Sequence, residues 1–165
     1  MQQEALLTAL AEIGATFMGF SALVSVFRRG ESIKQSDPQL FEVRDIVEIS
    51  LTVTIFALVP FVAHGLGLSE QLVWRASSAL YSVAWLTAIA FSFRRLQVLR
   101  SLEHPPDPPR LAMIVGGICT VSAQSLLWFN VVRSEPHPTL YSVSLILHLA
   151  VAGLWFVLIL IPPRQ

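Results

Sequence analysis

Long stretches without charged side chains alternate with short polar segments along the chain. Four of these stretches contain no Asp, Glu, Lys or Arg, namely residues 49–69, 76–93, 111–132 and 136–163. A fifth stretch, residues 5–27, contains only Glu12. A helix needs about 20 apolar residues to cross the hydrocarbon core of a bilayer, where its backbone groups must bond within the segment. The pattern therefore predicts an all-α bundle of five membrane-spanning helices, near residues 5–27, 46–66, 71–93, 111–132 and 139–161.

Proline and glycine interrupt the chain between these predicted helices. Ser36-Asp37-Pro38 is typical of a helix N-terminus, so the second helix is predicted to begin there. Residues 65–69 predict a tight turn between antiparallel helices two and three, and the proline-rich residues 104–109 predict an extended loop. The third helix is expected to continue to about Leu102. Because no internal repeat is present, residues 1–165 are predicted to form a single integral membrane domain.

The basic residues predict which side of the membrane each loop occupies. Nine Lys and Arg residues lie on the side of the 28–44 loop, the 94–110 loop and the C-terminal tail, against two on the opposite side. Because cytoplasmic loops carry the excess of basic residues, the N-terminus is expected outside and the C-terminus in the cytoplasm. The basic residues that flank the predicted cytoplasmic ends of the first and third spans are Arg28, Arg29, Arg94, Arg95 and Arg100, and we call them the basic flanks. The last three lie beside leucines at a spacing of three, which also fits a helix end resting on an anionic membrane surface.

The composition supports a membrane protein rather than a soluble domain. Hydrophobic residues make up 54% of the chain and charged residues 13%, and the mean hydropathy is +0.64. Soluble domains carry about 25% charged residues. The formal net charge is zero, so no field steers an anionic partner and no nucleic-acid binding is expected. Ten arginines against one lysine are typical of a GC-rich bacterial genome, and we therefore expect a multi-pass protein of the bacterial inner (plasma) membrane.

Helical spacing places small and polar residues on one stripe of each predicted span. The stripes are Thr8, Glu12, Thr16 and Gly19; Ser50, Thr54, Ala57 and His64; Arg75, Ser78, Ala79 and Ser82; Gly117, Thr120 and Gln124; and Tyr141, Ser144, His148 and Ala152. Small residues let helices approach closely, and hydroxyl groups hydrogen-bond across the contact. We expect the stripes to face one another, and the opposite, apolar faces of the helices to contact lipid. The same residues fit either simple helix packing or the lining of a path for an ion or small solute.

Four residues within the spans carry the strongest polar groups. A carboxylate such as Glu12 costs roughly 2–3 kcal/mol inside a bilayer unless it is paired or protonated. Arg75 is expected in the same outer half, either paired with Glu12 or extended toward the headgroups. Gln124 is expected at the depth of Glu12 and His148 nearer the midplane. We therefore predict one intramembrane polar cluster formed by Glu12, Arg75, Gln124 and His148. The cluster could serve as a proton or ion relay, or it could have only the structural role of holding the helices together.

The chain carries no recognisable catalytic or metal-binding motif. H-E-x-x-H, a glycine-rich phosphate loop and G-x-S-x-G are all absent from the sequence. Cys119 is the single cysteine, and no two of the four histidines are spaced at i,i+4. We therefore expect no catalytic residues, no metal and no cofactor, which argues against an enzyme.

Two functions fit these observations. The favoured one is a structural, accessory or interaction protein that packs with itself or with a partner membrane protein, because the short loops leave recognition to the helix faces. The alternative is a subunit of an oligomeric ion or small-solute channel or transporter that uses the polar cluster in the outer half of the bundle. An oligomer is expected in that case, since five spans are few for a monomeric carrier.

Overall fold

The computed structural model describes residues 2–29, 38–100 and 110–160, and these residues are helical apart from two short connections. The helices are α1 (Gln2–Arg29), α2 (Pro38–Gly65), α3 (Glu70–Arg100), α4 (Arg110–Val132) and α5 (Pro138–Leu160). Each of the five contains a segment long and apolar enough to cross a membrane. The prediction of an all-helical chain with five candidate spans is confirmed over the described residues.

The ends of the helices follow the signals in the sequence. α2 begins at Pro38, the position predicted for its first turn, and α3 continues to Arg100. α2 and α3 are joined by a tight turn in which Gly67 has a φ of 75°, a conformation that favours glycine. The amide of Gly67 donates to the carbonyl of His64, which closes the end of α2. The loop predicted at residues 104–109 lies outside the described residues.

Contacts between the helices define their directions. α1 and α5 are parallel, because Gln3 lies beside Thr139 at one end and Phe17 beside Phe156 further along. α3 is parallel to α5, since Trp74 contacts Tyr141 and Tyr81 contacts His148. α2 runs the opposite way, as Gly14 of α1 packs near Ser50 while Ala11 lies near Thr54. α4 does too, since Ser78 of α3 bonds to Asn130 and Ser82 to Gln124. The starts of α1, α3 and α5 therefore share one end of the bundle, which we call the N-terminal end.

The core lies where α5 packs against the other four helices. Aromatic side chains fill the part nearer the N-terminal end, and Tyr81 and Tyr141 are fully buried within it. The buried members of this cluster are Leu7, Leu10, Ala11, Val53, Ala57, Trp74, Tyr81, Trp85, Leu127, Tyr141, Leu145 and Leu149. A smaller cluster of Val43, Ile46 and Ala152 continues toward the other end. Trp128, by contrast, is 48% exposed.

A proline within α2 creates a polar contact inside this core. Pro60 has no N–H, so the carbonyl of Phe56, four residues earlier, loses its ordinary helical partner. The hydroxyl of Tyr141 on α5 donates a hydrogen bond to that carbonyl. The buried tyrosine thus satisfies the group that the proline leaves free, and it joins α2 to α5.

Candidate functional site

Hydrogen bonds between side chains run along the contact of α3 with α4. The Nδ2 group of Asn130 donates to Ser78 Oγ over 2.9 Å, and Ser82 Oγ donates to Gln124 Oε1 over 2.7 Å. Ser78, Ser82 and Asn130 are fully buried. We call these four residues the α3–α4 seam. The two helices are antiparallel, so Ser78 meets Asn130 and Ser82, one turn further along α3, meets Gln124, which lies one to two turns earlier on α4.

At the N-terminal end of the bundle, backbone groups of the connection between α4 and α5 form hydrogen bonds with Arg75 and with Asn130 of the seam. The Nη2 group of Arg75 donates to the carbonyl of Arg133 over 2.9 Å and to that of Ser134 over 3.4 Å. The backbone N–H of His137 donates to Asn130 Oδ1 over 2.6 Å. Arg75 therefore satisfies carbonyls just after the end of α4, and Asn130 fixes the connection that leads into α5.

A buried histidine lies in the aromatic part of the core. His148 Nδ1 is 2.6 Å from the hydroxyl of Tyr81, and the imidazole stacks on the indole of Trp85 with ring centroids 3.6 Å apart. His148 is 0% exposed, and its Nε2 atom has no hydrogen-bond partner among the described residues. The Trp85 Nε1 and Gln124 Nε2 groups are buried without a partner as well. The arrangement leaves one imidazole nitrogen without a partner among the described residues, within a buried aromatic cluster.

The structure places the four residues of the predicted polar cluster in different surroundings. His148 bonds to Tyr81, Gln124 to Ser82, and Arg75 to backbone carbonyls. Glu12 is exposed on α1, where its backbone carbonyl accepts a hydrogen bond from Thr16 over 2.8 Å. All four residues are described, and no hydrogen bond or ion pair joins any two of them within the protomer. Their common role as a relay stays a prediction.

The polar stripes of three helices turn toward the bundle as expected. On α5, Tyr141, Ser144, His148 and Ala152 are all 0% exposed. On α3, Ser78 and Ser82 are equally buried, and on α2 so are Ser50 and Ala57, whereas Arg75 and His64 at the ends of these two stripes are exposed. On α4, Thr120 and Gln124 are only half-buried. These stripes supply the packing surface and the hydrogen bonds of the core.

The stripe of α1 points the other way. Thr8, Glu12, Thr16 and Gly19 are all exposed. The opposite face of the helix, formed by Leu7, Leu10, Ala11, Gly14 and Ser21, packs against the bundle. A Cβ atom placed on Gly14 would lie 2.5 Å from Thr54 Oγ1, so α1 meets α2 closely along this face.

Small residues form one stripe on the exposed surface of α1, beside the large exposed side chains of Leu6, Ile13, Phe20 and Leu23. Positions alternately three and four residues apart are occupied by Ala5, Thr8, Glu12, Ala15, Gly19 and Ala22, and all six are exposed. We call these six residues the α1 outer stripe. The exposed surfaces of α3 and α4 also carry large side chains, as Leu80, Val83, Ile118 and Val121 illustrate. Sequence spacing indicated the polar members of the stripe but not the side of α1 that packs.

The basic flanks lie at the end of the bundle opposite the N-terminal end. Arg28 and Arg29 end α1, and Arg95 and Arg100 lie in the last turns of α3, but their side chains are outside the described residues. Arg94 is exposed and lines an open groove along α3 with Phe91. All five predicted flank positions therefore share one end of the molecule.

The remaining ionisable groups offer no metal-binding arrangement in the described ranges. No group of three His, Cys, Asp or Glu side chains there is placed to hold a metal ion. Arg44 pairs with Glu48 one turn further along α2, with 2.7 Å between Nε and Oε1.

Comparison with known proteins adds no relative. The chain matches no protein-family model, and neither the curated proteins nor the solved structures give a match.

Proposed function

We propose that this chain is a multi-pass protein of the bacterial inner membrane, with its N-terminal end outside and its C-terminus in the cytoplasm. Within that membrane it acts as an accessory or interaction protein that binds another transmembrane helix through the α1 outer stripe. The observation that carries the proposal is the exposure of Glu12 on the face of α1 that does not pack against the bundle.

The energetics of a bilayer explain why this exposure matters. A carboxylate that faces acyl chains costs roughly 2–3 kcal/mol, whereas one that meets a hydrogen-bond donor on another helix loses most of that penalty. The small residues around Glu12 form a strip of low relief beside the exposed side chains of Ile13 and Phe20. A second helix lying on the stripe satisfies the carboxyl group and packs closely against the small residues.

Site-specific cross-linking in native membranes tests the proposal. A photoreactive residue placed at Ala15 is expected to form adducts with an integral membrane protein identified by mass spectrometry. The control is the same residue at Val121, which is 66% exposed on α4 and lies on a different helix from the α1 outer stripe. Recovery of the isolated monomer alone from both positions contradicts the proposal.

A second candidate function is a subunit of an oligomeric channel or transporter. It is favoured by two polar features of the interior, the α3–α4 seam and the buried His148, whose Nε2 atom has no partner among the described residues. Reconstitution in liposomes with proton and ion flux assays distinguishes the candidates. If the wild type conducts protons or ions and either His148→Phe or Glu12→Gln abolishes the flux, the result supports transport. If the wild type gives no flux, the interaction role is the one that remains.

A further inference from the structure

A shallow groove follows the part of α3 that the other helices leave exposed. It has a volume of about 410 Å³. Its lining residues recur at intervals of one, three and four positions, which places them on one face of the helix, and all are exposed. We call this set the α3 groove, and its members are Val83, Leu86, Thr87, Ala90, Phe91 and Arg94.

We infer that the α3 groove binds one anionic phospholipid, with an acyl chain along its apolar part and the phosphate on Arg94. The inference goes beyond the proposed function and does not involve the α1 outer stripe. It requires only that α3 cross a bilayer, which the length and apolar character of the helix fit. The leaflet concerned lies at the end of the bundle that carries the basic flanks, and this end is cytoplasmic in the proposed orientation.

The apolar part of the groove suits an acyl chain. Val83, Leu86 and Phe91 are 58%, 45% and 53% exposed, so they present hydrocarbon surface outward. The hydroxyl of Thr87 already donates to the carbonyl of Val83 over 2.8 Å. Between Val83 and Phe91 the lining therefore offers no unpaired polar donor, and this favours a hydrocarbon chain over a polar solute.

The groove also has the length of one leaflet. The candidate span of α3 is Glu70–Arg94, so Val83 lies next to its middle residue and Arg94 lies at its end. The two residues are eleven positions apart, or about 16 Å along the helix axis at a rise of about 1.5 Å per residue. This length is close to half of a hydrocarbon core of about 30 Å. A lipid whose phosphate lies at Arg94 therefore has its chain end near Val83.

Arg94 gives the groove a charged end at the depth of the headgroups. The guanidinium group of an arginine binds phosphate oxygens through paired N–H donors. No hydrogen bond or ion pair engages the Arg94 side chain in the described part of the chain, and the lining contains no carboxylate that would compete with a phosphate. Arg95 and Arg100 follow it in α3. Basic residues at a membrane surface attract anionic lipids, so the groove favours an anionic headgroup over a zwitterionic one.

A second groove on the bundle provides an internal comparison. It lies between α1 and α5, has a volume of about 290 Å³, and is lined by Ile13, Thr16, Phe17, Phe20 and Phe156. Its lining contains no charged residue. We expect this α1–α5 groove to accept acyl chains whatever their headgroup. The comparison separates selection of a headgroup from the general contact of an apolar surface with lipid.

Photolabelling by lipids tests the inference. The full chain is reconstituted in phosphatidylcholine vesicles with a trace of either phosphatidylglycerol or phosphatidylcholine that carries a photoreactive group at the end of an acyl chain. Adducts are located by mass spectrometry, and each probe occupies both leaflets, so the direction of insertion does not affect the result. We expect the phosphatidylglycerol probe to label residues 83–91 more than the phosphatidylcholine probe does. The α1–α5 groove should be labelled equally by both.

Substitution of Arg94 tests the role of its charge. Arg94→Gln should reduce the preference for phosphatidylglycerol at residues 83–91 by about 5-fold, because it removes one cation from the membrane surface. Arg94→Lys keeps the charge and should retain most of the preference. Arg133→Gln is the matched control, since it removes an exposed arginine from the opposite end of the bundle, and it should leave the preference unchanged.

Filling the groove tests the contribution of its shape. Ala90→Trp places a large ring between Leu86 and Phe91 and should lower the labelling of residues 83–91 by both probes. Ala150→Trp is the matched control, because Ala150 is an exposed alanine on α5. It should leave that labelling unchanged.

The inference fails if the two probes label residues 83–91 equally in the wild type, or if neither labels them because protein covers the groove. It also fails if Arg94→Gln and Arg133→Gln lose the preference equally, or if Ala90→Trp leaves the labelling unchanged. Its outcome is separate from that of the proposed function. A phosphatidylglycerol preference without any protein adduct at photoreactive Ala15 supports the lipid site and contradicts the interaction role, and the reverse result does the opposite.

Discussion

Pro60 and Tyr141 illustrate how a single residue determines a contact between two helices. Proline removes an N–H from the interior of α2, so the carbonyl of Phe56 loses its helical partner. A buried carbonyl without a donor costs about 1–3 kcal/mol. Tyr141, 0% exposed, supplies the donor from α5. The contact therefore compensates for a local defect and also fixes the rotation of α5 relative to α2.

Substitutions at these two positions should be coupled. Tyr141→Phe keeps the ring and removes the donor, so we expect the free energy of unfolding to fall by about 1–2 kcal/mol. In a Pro60→Ala background the backbone N–H at position 60 can donate to Phe56 within α2, so Tyr141→Phe should cost less. Equilibrium unfolding in bicelles measures both costs as a double-mutant cycle. The same cost in both backgrounds would show that the hydroxyl does not replace the missing helical bond.

The surroundings of His148 show what the sequence can and cannot predict for one residue. Helical periodicity placed it on one stripe with Tyr141, Ser144 and Ala152, and the structure buries all four. Its partner was not predictable, because Tyr81 lies 67 residues away and the pairing depends on how α3 and α5 are rotated. Approximate depth and the polar stripe on each helix together grouped His148 with Glu12, Arg75 and Gln124. Depth along a helix does not specify the direction in which a side chain points.

At the scale of single elements, α1 shows the limit of periodicity most clearly. Both of its faces are compatible with packing, since one carries Leu7, Leu10 and Gly14 and the other carries small residues around Glu12. Sequence reasoning assigned the polar stripe to the interior, as it did correctly for α5. In α1 the face that packs is selected by shape, because Gly14 allows the approach of Ser50 and Thr54.

The contact of α1 with α2 should depend strongly on Gly14. Gly14→Ala places a methyl group against Thr54 Oγ1 and the carbonyl of Ser50, and we expect a loss of about 1–3 kcal/mol of unfolding free energy. Gly116→Ala is the matched control, because its Cβ would meet Val151 at an ordinary 3.8 Å. That control should change stability by less than about 1 kcal/mol. Unfolding in bicelles compares the two variants.

The steric explanation for Gly14 can be separated from helix propensity. Thr54→Ala removes the hydroxyl that a Cβ at position 14 would meet at 2.5 Å. The cost of Gly14→Ala should therefore be smaller in the Thr54→Ala background than in the wild type. An undiminished cost there, or an equal loss from Gly116→Ala, contradicts the proposed close contact.

Across the whole molecule, the direction of the helices and the placement of charge agree. α1, α3 and α5 start at the N-terminal end, and the predicted basic flanks all lie at the opposite end. Helix number and approximate bounds were predictable because charge-free runs of this length have few alternatives. The arrangement of the helices was not, since it depends on particular pairs such as Ser78 with Asn130 and Ser82 with Gln124.

The proposed orientation in the membrane follows from this charge asymmetry and can be tested with reporter fusions. A fluorescent protein at the C-terminus should be active, because it folds in the cytoplasm, while alkaline phosphatase at the same position should be inactive. Fusions after the α4–α5 connection, near Glu135, should give the reverse result. Replacing Arg94, Arg95 and Arg100 by Ala should weaken the bias, because these residues supply three of the nine basic charges on the cytoplasmic side. Alkaline phosphatase activity at the C-terminus of the wild type contradicts the orientation, and an unchanged bias in the triple variant removes charge as its cause.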